Sequence, residues 1–407
     1  MEKFSDVVVV GGGPSGSFCA LNMAKKAVSV IVFEEHDEIG TPCHCAGHLS
    51  ITGLKNLGLY PLPKRVIENV FYGVKIHSPN GSEFTIRFSL PTTCVVNRAL
   101  FDKHLSDLAK KSGIRYFLGS KVDSLTLDGS LAKLLISKTS GETFKFSSRI
   151  VVDAEGTSYK ILRQAGLTPP EKGFVYCVNA EVENVNNLEP DKVEVFLGNT
   201  YAPGFYAWLI PKEKDVAKIG LGAKAGNPKT LLRKLMHKHP AASKKLKKAK
   251  ILQETFHPIP LGGPIKRAYA HGFLVVGDAA AQVKPTTGGG IILGLNCARI
   301  AADVAVEAIN TKDFSPKFLR VYQKRLMKLL GFDIKVMREI RKILDRIHDK
   351  ELDNFISLCR RNFGEEDFQD LIETDFQGRA LLRAVKKPRI TAAIAYFLLL
   401  SLKSILK

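Results

Sequence analysis

Apolar and polar positions change period from segment to segment along the chain, in a pattern typical of a mixed α/β fold. A short apolar run at residues 6–10 predicts a buried parallel strand, and a second β-rich run spans residues 28–33. The small residues between them predict a helix over residues 17–25. Apolar side chains recur at helical spacing through residues 97–112, which predicts an amphipathic helix.

Later segments have the alternating period of strands. Residues 121–127 and 131–138 predict a hairpin with Asp128 and Gly129 as its turn. After a glycine-rich loop a helix is predicted over residues 291–305, and further helices are predicted from residue 315 onward. Two further strand patterns lie at residues 149–153 and 273–277. Between them, four patterns at residues 175–183, 192–197, 206–210 and 216–221 predict an antiparallel sheet.

Three glycines follow the first predicted strand in the pattern G-x-G-x-x-G. Gly11 allows a tight turn, Gly13 lets the backbone approach a pyrophosphate, and Gly16 lets helix and strand pack closely. We expect Ser15 and the N-terminal amides of the helix to contact the same phosphates. Glu34 ends the second strand and can accept hydrogen bonds from an adenosine ribose. This context predicts a dinucleotide site without saying which dinucleotide binds.

Two later motifs narrow the ligand to FAD. The first is VVDAEGTS at residues 151–158, and the second is FLVVGDAA at residues 273–280, which leads to PTTGGGI. Asp278 follows a strand, where its carboxylate can accept a hydrogen bond from a ribityl hydroxyl. Gly289, Gly290 and Ile291 open a helix whose N-terminus can face the flavin pyrimidine edge, where negative charge develops on reduction.

The three motifs, in this order and spacing, resemble those of flavoproteins built like p-hydroxybenzoate hydroxylase, over about residues 1–310. The resemblance implies that Arg98 and Val122 contact the FAD pyrophosphate and adenine. The fold class is therefore predicted as α/β (α+β), with a Rossmann-like FAD-binding domain, an inserted antiparallel-sheet substrate domain and a C-terminal helical region. Residues 1–65, 95–170 and 260–310 are assigned to the first domain, 66–94 and 171–259 to the second, and 311–407 to the third.

Two further segments resemble the geranylgeranyl reductases. The sequence PGFYAWLIP at residues 203–211 is similar to their P-x-x-Y-x-W-x-F-P signature, with Ile210 in place of Phe. The resemblance implies that Tyr206 and Trp208 line a substrate tunnel. Packing in the core is the alternative for this strand, since Trp208 is the only tryptophan.

The segment GTPCHCAG at residues 40–47 resembles the cysteine-containing loop of the same family. The resemblance implies that Cys45, Ala46 and Gly47 lie at the flavin and that Cys45 is catalytic. A buried inert thiol is the alternative for Cys45. Cys43 and Cys45 have no second cysteine pair and the histidines are dispersed, so no metal site is predicted.

The resemblance implies an FAD-dependent reductase that saturates geranylgeranyl chains, with membrane lipids of the archaeal type or their precursors as substrates. Cys45 or a shielded water would supply the proton that the alkene needs. A flavin monooxygenase of the same fold and a non-enzymatic prenyl-binding escort protein are the alternatives. The electron donor stays open among ferredoxin, a reduced deazaflavin and NAD(P)H.

Positive charge is concentrated in two segments of the chain, whose net charge is +20. Residues 228–250 and 379–407 contain nine and seven Lys/Arg and no acid. Neither interleaves aromatics, which disfavours nucleic acid as a partner. The second segment includes the uncharged run 390–402, too short to span a bilayer. This segment is expected either to lie as a helix on an anionic membrane surface or to dock as a helix on the core.

The number and spacing of the cysteines indicate the cellular compartment of the protein. The seven cysteines are odd in number and scattered, which argues against a disulfide scaffold. No secretory signal precedes the first strand. We therefore expect a cytoplasmic protein, with peripheral contact to an anionic membrane as the alternative location.

Overall fold

A computed structural model describes residues 3–26, 28–365, 367–368 and 375–405, with side chains described for residues 4–26, 28–365, 367–368 and 375–400. The described residues form eighteen strands. In chain order they are β1 (Lys3–Val10), β2 (Val30–Phe33), β3 (His48–Ser50), β4 (Ile67–Phe71), β5 (Gly73–His77), β6 (Glu83–Arg87), β7 (Thr93–Val96), β8 (Arg115–Phe117), β9 (Ser120–Leu127), β10 (Ala132–Lys138), β11 (Thr143–Asp153), β12 (Phe174–Glu183), β13 (Lys192–Leu197), β14 (Tyr206–Pro211), β15 (Ala217–Ala223), β16 (Lys250–Pro260), β17 (Tyr269–Ala270) and β18 (Phe273–Val275).

The same residues form eleven α-helices. They are α1 (Pro14–Ala24), α2 (Ile51–Asn56), α3 (Arg98–Lys111), α4 (Lys160–Gln164), α5 (Pro228–Lys238), α6 (Ala242–Leu246), α7 (Ile291–Thr311), α8 (Pro316–Arg346), α9 (Asp349–Asn362), α10 (Gln377–Ala384) and α11 (Pro388–Ile405).

Most predicted elements occur within one to three residues of their expected bounds. Helix α1 begins earlier than predicted because Pro14 occupies the first helical position, where a missing N–H costs nothing. Helix α7 continues to Thr311 rather than ending at residue 305. Gly129 at the β9–β10 turn has a φ of 88°, and the two strands pair antiparallel as predicted.

The chain divides into two compact units. Unit 1 contains Met1–Cys43, Arg98–Gly173 and Pro260–Phe332, and unit 2 contains His44–Asn97, Phe174–Ile259 and Asp333–Lys407. Residues 44–65 therefore belong with the inserted sheets rather than with the expected nucleotide domain. The C-terminal helices are divided between the units, whereas the sequence suggested a separate region.

Unit 1 is built on an eight-stranded sheet with the order β17-β18-β11-β1-β2-β8, to which β10 and β9 add an antiparallel extension. Strand β1 pairs parallel with β11 on one side and β2 on the other. Its residues Val7, Val8 and Val9 are fully buried, as expected for a central parallel strand. This arrangement confirms the predicted Rossmann-like sheet.

Unit 2 contains a seven-stranded sheet with the order β16-β12-β15-β14-β13-β5-β6 and a three-stranded sheet with the order β3-β7-β4. Strands β12, β15, β14 and β13 are antiparallel neighbours, which confirms the predicted antiparallel sheet. One face carries an apolar core that includes Ala207 and Leu209 of β14 together with Leu232 and Leu235 of α5. The opposite face of β14 therefore remains for other contacts.

Helix α11 packs against α9 through the rings of Phe397 and Phe355, whose centroids are 4.8 Å apart. Ile390 and Leu400 are buried, whereas Leu399 is 58% exposed. None of the helices in the described part of the chain is long and apolar enough to cross a membrane. Lys407, counted in the basic C-terminal segment, lies outside the described residues.

Candidate functional site

The turn between β1 and α1 has the geometry that the glycine pattern predicts. Gly11 has a φ of +98°, and a Cβ there would lie 2.5 Å from the Ala154 carbonyl oxygen. A Cβ on Gly16 would overlap the Gly11 carbonyl oxygen, which confirms the close packing of helix and strand. By contrast, a Cβ on Gly13 would meet none of the described atoms within 4 Å. The chain is therefore open at Gly13, where a pyrophosphate is predicted to approach.

No described side chain caps the N-terminus of α1, where Gly13 is the capping residue. The first amides of a helix have no partner within the helix and carry partial positive charge. An uncapped helix start beside an open glycine fits an anionic phosphate ligand. The roles of Gly13 and Ser15 in binding a pyrophosphate stay predictions.

Glu34 is held at the same turn. Its Oε2 accepts a hydrogen bond from the Gly12 amide at 2.7 Å, and its Oε1 accepts one from the His36 amide at 3.0 Å. The Ser120 amide donates to the Glu34 carbonyl oxygen at 2.8 Å, which places the start of β9 beside Glu34. Val122, predicted to contact adenine, lies two residues further along β9 and is buried.

Arg98 lies at the start of α3 and forms an ion pair with Asp102 on the next turn, at 2.9 Å. Burial raises the pKa of Asp102, Arg98 lowers it, and the nearby Glu34 carboxylate raises it again. Arg98 and Asp102 therefore form an ion pair in unit 1 with the Glu34 carboxylate nearby.

The GDAA motif meets the first glycine turn directly. A Cβ on Gly277, whose φ is +70°, would lie 2.8 Å from Ser15 Oγ, and a Cβ on Gly294 of α7 would lie 2.7 Å from the same atom. A Cβ on Gly290, the N-cap of α7, would lie 3.0 Å from Asp278 Oδ1. The starts of α1 and α7 and the Asp278 loop thus converge within unit 1.

Asp153 is a residue that the sequence analysis did not select, although it lies in the VVDAEGTS motif. It ends β11, pairs with Val10 on one side and Val275 on the other, and is completely buried. Burial raises the pKa of its carboxyl well above the usual range. Its Oδ2 has no hydrogen-bond partner among the described residues. Burial of this kind cannot be seen in an isolated sequence motif.

The second cluster of predicted residues lies in unit 2, on the face of β14 that carries Tyr206 and Trp208. Gly220 of β15 is the cross-strand partner of Trp208 and also of Asn179 on β12. A Cβ on Gly220 would lie 2.6 Å from Trp208 Nε1. Gly222 pairs with Cys177, and a Cβ there would overlap the Phe205 ring. Two glycines therefore leave space for aromatic rings on this sheet face.

The aromatic side chains form a continuous series. The Tyr206 ring lies 4.4 Å from the Phe205 centroid and 5.6 Å from the Trp208 centroid. Trp208 Nε1 is buried and has no hydrogen-bond partner within the described chain. Trp208 also packs with Ala46 on an apolar cluster that contains Ile210. The loop that contains Cys45 and the aromatic strand therefore share one surface of unit 2.

Cys45 is exposed and lies in the loop between residues 44 and 47. Its Sγ accepts a hydrogen bond from the Gly47 amide at 3.4 Å. The Gly47 carbonyl oxygen accepts one from the Val96 amide at 2.9 Å. Tyr206 and Cys177 lie near Cys45 in unit 2. Exposure of the thiol disagrees with the alternative of a buried inert cysteine.

Tyr206 has a charged neighbour that sequence patterns did not reveal. Burial raises its pKa, the nearby Cys177 raises it further, and Arg341 of α8 lowers it. Arg341 is itself buried, pairs with Asp345 at 2.8 Å and lies over the Phe205 ring at 5.7 Å. Arg341 is far from residue 206 in the chain and no motif links the two, so only the fold could identify this neighbour.

Comparison with known proteins identifies relatives over most of the chain. The family described as lycopene cyclase protein matches residues 6–363. Digeranylgeranylglycerophospholipid reductase of Methanocaldococcus jannaschii is 34% identical over 86% of this chain and 88% of its own length. Digeranylgeranylglycerophospholipid reductase 2 of Methanopyrus kandleri is 32% identical over 94% of this chain and 95% of its own length.

Solved structures show the same architecture. A geranylgeranyl bacteriochlorophyll reductase-like protein from Thermoplasma acidophilum superimposes with a TM-score of 0.86 and 26% identity, covering 98% of this chain and all of that one. A flavin-dependent brominase superimposes with a TM-score of 0.69 and 20% identity, covering 95% of this chain and all of that one. At that identity the brominase shows the fold alone.

Proposed function

Because the chain belongs to the digeranylgeranylglycerophospholipid reductases, and to the family described as lycopene cyclase protein, we propose that it reduces geranylgeranyl chains of archaeal-type membrane lipids with FAD as cofactor. The observation that carries this function is identity of 34% over 86% of the chain to a reductase of that name. The chain is an FAD-dependent oxidoreductase. A flavin monooxygenase of the same fold is the alternative, and it would add oxygen to its substrate instead of hydrogen.

Unit 1 supplies the residues proposed to hold FAD. Gly13, Ser15 and the start of α1 bind the pyrophosphate, and Glu34 accepts hydrogen bonds from the ribose. Arg98 contributes positive charge beside the phosphates. The start of α7 at Gly289, Gly290 and Ile291 faces the flavin ring, and Asp278 binds the ribityl chain. When bound and reduced, FAD supplies the two electrons that alkene reduction needs.

Unit 2 supplies the surface proposed for the isoprenoid chain. Tyr206 and Trp208 offer an apolar face with few exposed donors, which suits a chain of methyl-branched alkenes. The alkene also needs a proton, and the exposed thiol of Cys45 is placed on the same surface. We assign to Cys45 the transfer of its S–H proton to the alkene carbon, after which water returns a proton to the thiolate.

A single-turnover experiment tests this assignment. FAD-loaded enzyme is reduced chemically without oxygen and mixed with the unsaturated lipid or with its fully saturated counterpart. We expect flavin reoxidation with the unsaturated lipid alone, slowed in Cys45→Ala and unchanged in Cys43→Ala. Transfer of an oxygen atom to the lipid when oxygen is admitted would instead identify a monooxygenase. Equal rates for the Cys45→Ala and wild-type proteins would contradict the role of Cys45.

We further propose that the C-terminal helices contact an anionic membrane surface. Three apolar side chains on or just before α11 are exposed: Val385, Leu398 and Leu399. The cationic side chains of Lys386 and Arg389 are exposed in the same region. Each cation near an anionic surface contributes about 1 kcal/mol, which salt weakens. The docking of α11 on α9 leaves these residues available, so the docked helix and the membrane helix are compatible.

Point substitutions test the membrane proposal better than truncation, since truncation would also remove the packing of α11 on α9. We expect Leu398→Ser with Leu399→Ser to reduce co-sedimentation with anionic liposomes, and Lys386→Gln with Arg389→Gln to reduce its salt dependence. Leu90→Ser removes an apolar side chain elsewhere that is also exposed, at 68%, and is the matched control. Identical sedimentation of all variants would contradict membrane contact.

A further inference from the structure

We propose that Asn179 and Lys218 are positioning residues that hold the Cys45 loop on the aromatic face of unit 2. The inference rests on the proposed function of Cys45. The two residues lie on neighbouring strands, β12 and β15, and neither belongs to a motif of the sequence. They act on the backbone on either side of Cys45 rather than on the thiol itself.

The contacts bracket Cys45. Asn179 Nδ2 donates a hydrogen bond to the His44 carbonyl oxygen at 2.6 Å. Lys218 Nζ donates one to the Ala46 carbonyl oxygen at 3.1 Å. The His44–Cys45 and Ala46–Gly47 peptide groups are therefore both held by side chains of the sheet, which anchors the backbone on either side of Cys45.

The strand register places both contacts next to the aromatic side chains. Asn179 is the cross-strand partner of Gly220, which is also the partner of Trp208. Lys218 precedes Gly220 by two residues, so both point to the same sheet face. Lys218 is in turn the partner of Ile210. Both contacts to the loop therefore come from the sheet face that carries the Trp208 ring.

The Lys218 ammonium has two further partners in this position. Besides Ala46, it donates to the Val96 carbonyl oxygen at 3.0 Å and forms an ion pair with Glu68 at 2.5 Å. Two of its three donors therefore serve backbone carbonyls, and Glu68 balances its charge. Hydrogen bonds from a charged donor are among the stronger ones, so a residue without this charge cannot replace Lys218. Arginine keeps the charge and several donors.

Amide hydrogen exchange in the peptide that covers residues 41–49 tests the inference without reference to turnover. We expect exchange there to rise about tenfold in Lys218→Met and in Asn179→Asp, because each change removes the donor that holds a backbone carbonyl of the loop. Lys212→Met is the matched control, since Lys212 also pairs with Glu68, at 3.1 Å. Asn69→Asp, whose amide binds the Pro190 carbonyl oxygen, is the control for Asn179.

Turnover shows whether the loop acts through Cys45. We expect Lys218→Met to lower kcat about tenfold, with KM and flavin content kept and with partial rescue in Lys218→Arg. The effect should disappear when Cys45 is already replaced by Ala. An equal loss of kcat in the Cys45→Ala background, or unchanged exchange in both variants, would overturn the inference. If Cys45→Ala turned over normally while exchange still rose in Lys218→Met, only the catalytic role of Cys45 would be contradicted, and its positioning by Lys218 would stand.

Discussion

The indole ring of Trp208 occupies the space that a side chain on Gly220 would need. The two residues are cross-strand partners on β14 and β15, and a Cβ on Gly220 would lie 2.6 Å from Trp208 Nε1. Real Cβ atoms essentially never approach other atoms so closely. The position of the ring on the proposed substrate surface therefore depends on a glycine outside the family signature.

Gly220→Ala should displace the Trp208 ring. We expect the free energy of unfolding to fall by about 1–3 kcal/mol, because the added methyl group overpacks the site. Since the chain has one tryptophan, its fluorescence spectrum reports the ring alone. A Trp208→Phe change in the same protein should recover part of the lost stability. An unshifted spectrum in Gly220→Ala would contradict this contact.

Replacement of the fingerprint glycines should separate folding from cofactor binding. Gly13→Ala adds a methyl group to open space, so stability without flavin should change by less than about 0.5 kcal/mol while flavin content falls. Gly16→Ala should lower stability itself, because its Cβ overlaps the Gly11 carbonyl oxygen. Flavin content and thermal melting of the flavin-free proteins measure the two effects. Full flavin content in Gly13→Ala would show that the cofactor site is misplaced.

Tyr206→Phe and Trp208→Phe should lower turnover more than stability. Trp208 Nε1 has no hydrogen-bond partner in the described part of the chain, so its removal leaves no buried carbonyl or carboxylate unsatisfied. The changes alter the shape of the proposed substrate surface while keeping most of the buried apolar area. Melting temperature and single-turnover rate should be compared for each variant. A loss of melting temperature that matches the loss of rate would favour the core-packing alternative.

His239 should make unit 2 less stable in mild acid. Its ring is fully buried, and burial together with the nearby His77 lowers its pKa to about 4 from the ordinary value of 6.5. The unfolded chain therefore binds one more proton between these values. Stability is complete above pH 6.5 and falls towards pH 4, by up to about 1.4 kcal/mol per pH unit. Denaturant unfolding measured across this range should show the slope, and His239→Asn should reduce it.

The local pattern of the sequence was sufficient to predict the strands, the helices and the glycine turns. Gly11 and Gly16 have the turn and the close approach that G-x-G-x-x-G predicts, because these properties depend on residues a few positions apart. The same holds for β13, whose bounds Lys192–Leu197 agree with the predicted strand. Elements defined by local periodicity were thus predictable.

Features that depend on register between distant segments were not predictable. Asn179 and Lys218 contact the Cys45 loop from strands more than 130 residues further along the chain. The separation of residues 44–65 from the nucleotide domain likewise follows from the pairing of β3 with β7, which no local motif reports. Such contacts require the topology before they can be identified.

Mass spectrometry of the lipid after incubation with chemically reduced, FAD-loaded enzyme tests the central claim most directly. A digeranylgeranylglycerophospholipid should gain mass in steps of two hydrogens, with its head group unchanged, and Gly13→Ala enzyme without flavin should leave it unaltered. Substrate recovered with its original mass, or with the added mass of oxygen, would contradict the proposal that this protein reduces isoprenoid double bonds.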